Sequence, residues 1–438
     1  MWMVVSLLTI AASLALVLRQ LRALGDDPLA KAVILLIWFR FALTGLGETP
    51  TQPVAAGQSL LALGTLAAVM ATLMILPLSR LRLPRLLPFL GLAGITLLSG
   101  LLNGRGDALI NAMTLWIMFV VIALLVHRAL DRHGIRPVLG CLLAVFSLPV
   151  GQQLLSVALG RSMIGQDGTV AYIGNFVHEA VYSTVALCAV WLVTVYPWKK
   201  RAWLLAAVGL CLASMVLANY RTLILACLPF LVAVILRLAD TGRPRTRRSP
   251  LPLVLALLGT LAVLPMLPAE RFAELGTAFT EIGNLVKPPQ EFSAAEKDIL
   301  SARAYIGAAY IQSYIDGGLL THLVGYGPDA QVSYIETHPH NEYLRVLFQT
   351  GILGLGLWLG ILLWHVSMTL RRVPRAAVAP LMSGYAALAI GSLGTSFFNR
   401  PEGVIFVALL CATTWHLAGS RVAAARPARS QGHGMTSA

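Results

Sequence analysis

Charge is scarce in this chain, and that scarcity excludes an ordinary soluble domain. Asp, Glu, Lys and Arg make up 12% of the residues against 57% apolar types, with a mean hydropathy of +0.77, and a water-facing surface cannot be built from so few charges. Acidic residues are the scarcer sign, 19 against 33 Lys and Arg, which leaves a net charge of +14. The basic residues punctuate the ends of apolar runs and do not form a patch, so no nucleic-acid partner is expected. Cysteine is sparse too. Cys141, Cys188, Cys211, Cys227 and Cys411 fall inside apolar runs at spacings that suit neither a zinc site nor a disulfide framework, and read as small packing residues. There is no clustered His and carboxylate set, so neither a catalytic metal nor another cofactor is expected. Trp2 to Val17 lacks a basic n-region and a small-residue cleavage site, so the first apolar run reads as a retained helix and not a signal peptide.

What the chain has is long apolar runs. At a window of roughly 20 residues they predict an all-α, polytopic transmembrane helical bundle of about 12–13 spans with one large, partly helical periplasmic loop. The runs lie near 2–17, 30–46, 56–78, 86–102, 108–126, 137–159, 178–196, 202–218, 221–237, 251–267, 345–370, 376–395 and 402–418. Alternate connections are rich in Lys and Arg, for example Arg80/Arg82/Arg85, Arg128/Arg132/Arg136, Lys199/Lys200/Arg201 and Arg371/Arg372/Arg375. By the positive-inside rule these are cytoplasmic, and the N-terminus and the loop lie outside. The expected organisation is therefore ten spans over 1–267, a periplasmic loop over 268–344, three spans over 345–418, and a disordered cytoplasmic tail over 419–438. The expected location is the bacterial inner membrane, multi-pass, with any active site facing the periplasm.

The loop holds ten of the 19 acidic residues and only four basic ones, which leaves Arg303 as the one arginine in its interior. Ser293-Ala-Ala-Glu296 has the form of a capping box, from which a helix is expected to run to Gly317-Gly318, with Arg303 and Tyr310 on one face. Gly325-Tyr326-Gly327-Pro328 is a turn cluster, and Thr337-His338-Pro339-His340-Asn341-Glu342-Tyr343-Leu344 then feeds directly into an apolar helix. The whole reads as a folded cap tethered at both ends. Arg40 lies within the second run and Arg221 between the eighth and ninth, while Arg105, Arg161 and Arg400 each stand alone at an external helix end. Such a residue pairs, snorkels or faces a cavity, and several converging on one cavity are what a diphosphate requires.

His340-Asn341, nine residues, Gly351-Ile-Leu-Gly354 resembles the H-N-x9-G-x-x-G pattern of the bacterial O-antigen ligase and O-antigen/exopolysaccharide polymerase superfamily, which likewise closes a large periplasmic loop. Tyr220-Arg221-Thr222 resembles that family's short connection with an essential arginine, and Ser301-Ala302-Arg303 with Gly325-Tyr326-Gly327 its arginine helix and G-x-G turn. The likeness runs over roughly residues 205–365; a 13-run count departs from the family's usual 12. It implies a metal-independent glycosyltransferase moving a glycan from undecaprenyl diphosphate to a sugar hydroxyl of a glycan acceptor, in contact with membrane lipid. A chain-length regulator is a candidate partner. In that reading His340, or His338 in its place, is the catalytic base; Arg221, Arg303 and, third, Arg40 bind the diphosphate; and Asn341, Tyr343 and Glu342 contact sugar.

The form His-Pro-His-Asn-Glu-Tyr-Leu looks closer to exopolysaccharide members and favours a polymerase of exopolysaccharide or O-antigen repeats. The alternative is an O-antigen ligase attaching polymer to lipid A core. A polysaccharide transporter or flippase is a remoter one, since the polar residues gather at one face and no paired halves appear. His178-Glu179, at the outer end of the seventh run, is a candidate acid/base pair. Beside these readings stand blander accounts: His340 as a loop histidine bonding a carbonyl, Gly351, Gly354, Gly356 and Gly360 as a helix-packing face, His178-Glu179 as a helix end without contact to substrate, and Asp26-Asp27 as a solvated cytoplasmic turn.

Overall fold

The computed structural model describes residues 2–55, 58–76, 83–164, 170–239, 287–298, 302–335 and 337–424. Twelve of the thirteen apolar runs contain helix; the run at 251–267 lies outside the described residues, as does the tail beyond 424. The long helices are α1 (Trp2–Leu21), α2 (Pro28–Thr44), α3 (Leu60–Met74), α4 (Leu87–Leu102), α5 (Gly106–His133), α6 (Ile135–Ala158), α7 (Glu179–Val195) and α8 (Arg201–Ala218). The ninth run divides into α9 (Arg221–Leu225) and α10 (Leu228–Ala239). Short helices α11 (Ala294–Asp298), α12 (Arg303–Ile315), α13 (Leu319–Val324) and α14 (Gln331–Tyr334) form the loop, and α15 (Glu342–Arg372), α16 (Arg375–Gly391) and α17 (Pro401–Ala424) complete the chain. Among the described residues, eight helices are long and apolar enough to cross a membrane. Two small antiparallel hairpins, Pro53–Ala55 with Gln58–Ser59 and Met163–Ile164 with Val170–Ala171, were not legible in the hydropathy pattern.

Local chemistry sets the helix starts. Asp27 accepts from Ala30 N at 3.1 Å with Pro28 at the first helical position, Ser59 accepts from Ala62 N at 3.2 Å, and Asn341 accepts from Tyr343 N and Leu344 N. α5 is buried on almost every face from Met118 to Leu130 and packs along α17, whose residues from Val404 to Ala412 are equally buried. Helices apolar all round belong either at the centre of a bundle or against lipid. The second case is represented by α1, α3 and α4, which turn Leu8, Met74, Leu87 and Leu101 outward. All five cysteines are free and buried, as expected of packing residues.

The bundle has two chemically distinct ends. At one, Lys/Arg-rich connections are tied by ion pairs, and Asp27 corrects the expectation of a solvated turn. Its carboxylate is fully buried and meets Arg128 at 2.8 Å, His133 at 3.0 Å and Arg132 at 3.5 Å. Burial alone would raise its pKa; hydrogen bonds from Arg128 and His133 outweigh that and hold it at about 2. At the other end the loop is seated on the helices: Asn103 donates to the Gly325 carbonyl at 3.1 Å, Arg105 to Ser333 at 2.7 Å, and Glu342 N to the Ser392 carbonyl at 2.8 Å.

Glycine makes that seating possible. Gly325 (φ +77°, ψ −173°) and Gly351 (φ +64°, ψ −169°) both occupy backbone conformations that only glycine adopts readily. A Cβ on Gly351 would stand 2.3 Å from the Leu323 carbonyl, and one on Gly325 2.4 Å from Gln349. Tyr326 N and Gly327 N then donate to the Phe348 and Gln349 carbonyls at 2.8 and 3.1 Å. The G-x-G turn and Gly351, ten residues after Asn341, are therefore two halves of one close backbone contact, and Gly351 kinks α15 at that point. Gly356 and Gly360 face open space.

Candidate active site

The site is built where the loop meets the ends of α7, α8 and α16. Ser293 N donates to Glu296 at 2.7 Å and Glu296 N to Ser293 at 3.4 Å, which is the expected capping box. The helix does not run unbroken from it, however. Ala302 takes φ +62° and starts α12 afresh, so Arg303 occupies a first turn and not a mid-helix position. From there its guanidinium donates to Thr222 Oγ1 at 2.8 Å and to the Tyr220 hydroxyl at 3.3 Å, and lies 5.7 Å from the Tyr220 ring centroid. Tyr220 in turn donates to the Gly394 carbonyl. Burial pushes its phenol up, so it remains a neutral donor. About two turns further along α12, Tyr310 is buried and donates to the Thr337 carbonyl at 2.6 Å, tying that helix to the histidine segment.

His340 stands beside this group. It has φ +46°, an uncommon conformation for a residue with a Cβ. Burial first, then the charges of Arg303, His338, His178 and Arg400, lower its pKa to about 4. These groups, with His340 itself, come from four separate places in the sequence and act on one imidazole. Arg221 sits between the two residues that Arg303 contacts and opens α9. Two members of the group go beyond the expected base and diphosphate residues: His178, a candidate acid/base partner of Glu179 in the sequence, and Arg400, one of the lone arginines at an external helix end. His178 caps α7 through its ring nitrogen, at 3.0 Å from Ala180 N and 3.5 Å from the Glu179 carboxylate. Arg400 stands in extended backbone just before α17. Their sequence signal was an isolated charge at an external helix end, which hydropathy alone cannot separate from a snorkelling residue.

The remaining expected site residues lie elsewhere. Arg40 is buried and paired with Glu402 at 2.7 Å, with Thr65 at 3.3 Å, so its charge is already neutralised. Glu342 is fully buried and forms a two-pronged pair with Arg345 at 2.6 and 3.1 Å. Asn341 spends its side-chain oxygen on capping α15, and Tyr343 donates to the Ala389 carbonyl at 3.1 Å. His338 is exposed, lies 3.3 Å from Gln331, and lines a cavity to which neither Arg303 nor His340 contributes.

By its long apolar helices the chain is a helical membrane protein. Compared with protein-family models and with curated proteins, it matches none of either.

Proposed function

We propose that the protein is a membrane-embedded glycosyltransferase that moves a glycan from a lipid diphosphate to a sugar hydroxyl at the outer membrane face, most simply a polymerase of exopolysaccharide or O-antigen repeats. The observation that carries the reading is the meeting of Arg303, Arg400, the Tyr220–Thr222 segment and His340 at one place. In the proposed reaction the acceptor oxygen attacks the anomeric carbon, its proton passes to the His340 imidazole, and the bond from that carbon to the diphosphate oxygen breaks with its electrons leaving on the diphosphate. Negative charge grows on the leaving group, and preorganised guanidinium donors stabilise it most in the transition state. His340, neutral above about pH 4, is in the form able to accept a proton.

The test uses purified protein in nanodiscs with the host's lipid-diphosphate glycan as substrate. Arg303→Lys keeps charge but loses the planar fork that spans Thr222 and Tyr220, so transfer should fall at least tenfold. His340→Ala should slow turnover by roughly 10²–10⁴-fold, the usual worth of a general base, while donor affinity survives. Near-native turnover of both variants would end this reading.

A further inference from the structure

A cavity of about 850 Å³ is walled by α2 to α5, the first half of α15, His338, and Phe398, Asn399 and Pro401. Two short stretches of chain give some residues to the cavity wall and withhold others. His338 lines the cavity and His340 does not; Asn399 and Pro401 line it and Arg400 between them does not. Arg400 itself is extended, between the helical turn that ends at Asn399 and the helix that starts at Pro401.

The cavity and the arginine group differ in charge. The arginines of the cavity wall are Arg40 and Arg345, and each is answered by a carboxylate that is buried, Glu402 and Glu342. Asp107 and Asp329 add negative charge to the wall. With no surplus cation, a diphosphate placed here would be repelled, whereas an uncharged ligand rich in hydroxyls would not. The wall suits such a ligand. Trp116 and Trp358 pack on Phe398 at 4.8 and 5.2 Å between ring centroids, giving apolar faces, and Asn111 and Gln349 offer amides. Trp358 is 1% exposed, lines the cavity, and its indole N–H has no hydrogen-bond partner among the described residues. A buried donor of this kind costs free energy unless a ligand or solvent accepts from it.

We infer that this cavity is a binding site for an uncharged glycan, the acceptor of the transfer proposed above. The acceptor role rests on that proposed reaction; the glycan site does not.

The native cysteines are buried, so one thiol introduced by Asn111→Cys, at an exposed position on the cavity wall, reports on occupancy. Maleimide labelling is followed in nanodiscs with two probes at millimolar concentration: the phosphate-free oligosaccharide released by mild acid from the host's lipid-diphosphate glycans, and inorganic pyrophosphate. The oligosaccharide should slow labelling at least threefold and pyrophosphate should leave it unchanged. Adding Trp358→Phe, which keeps a ring but deletes the N–H, should leave the unprotected rate alone and raise the half-protecting concentration about fivefold, the equivalent of one neutral hydrogen bond. Protection by pyrophosphate, or none by the oligosaccharide, overturns the glycan site. Loss of transfer in His340→Ala with no oligosaccharide protection sinks the cavity alone; protection with fully active His340→Ala and Arg303→Lys keeps the glycan site and removes the transferase.

Discussion

His340 titrates far below an ordinary histidine because burial first, then the neighbouring Arg303, His338, His178 and Arg400, disfavour its protonated form. The sign of the pH dependence follows. In the free protein the imidazole is a competent base above about pH 4 and is lost as pH falls through that value. A bound diphosphate would neutralise Arg303 and Arg400 and ease protonation, raising the same pKa. The acid limb of kcat/KM, which reports the free protein, is therefore expected near pH 4, and the acid limb of kcat at higher pH. A kcat/KM limb at or above pH 6.5 would show that another group sets the profile. Arg40 makes a contrasting case at the same scale. Removing it alone, as in Arg40→Met, strands Glu402 in a buried site and should cost about 3–5 kcal/mol, read as a lower thermal midpoint, while Arg40→Met combined with Glu402→Leu should recover most of that. Transfer by the stable double variant would separate Arg40 from the diphosphate site.

Among the elements, the kinked start of α15 decides most. Asn341 caps it, Gly351 bends it, and the bend receives the turn at Gly325–Gly327, so that the histidine segment is held against the helix ends it must face. Gly351→Ala places a Cβ into the Leu323 backbone and forces an unfavourable φ. It should cost roughly 1–3 kcal/mol from backbone strain alone, and disturb His340 more than a surface change would. The expected outcome is a lower thermal midpoint together with reduced turnover. Gly356→Ala, which meets open space, is the matched control and should change neither.

For the molecule as a whole, the two ends of the bundle carry different chemistry: Lys/Arg-rich connections and the Asp27 cluster at one, the loop and its arginine group at the other. The positive-inside rule assigns the basic end to the cytoplasm. A single thiol at Glu291, exposed in the loop, should accordingly react with an impermeant maleimide in intact spheroplasts. Reaction only after the membrane is opened would invert the orientation and with it the side on which transfer is proposed.

The helical class was legible in the sequence because hydropathy runs and helix length are local properties, dictated by the cost of unpaired backbone in an apolar medium. The capping box at Ser293–Glu296 and the packing role of the cysteines could be read for the same reason: each is a short-range pattern with a short-range cause. Tertiary structure alone decided what long-range pairing controls. It buried Asp27 among three basic residues from the end of α5, cancelled Arg40 with a carboxylate 362 residues away, and brought His178 and Arg400 to His340. It also gave His338, and not His340, to the wall of a cavity. The charge a side chain presents depends on which partners the fold brings within a few ångströms, and no window along the sequence contains them.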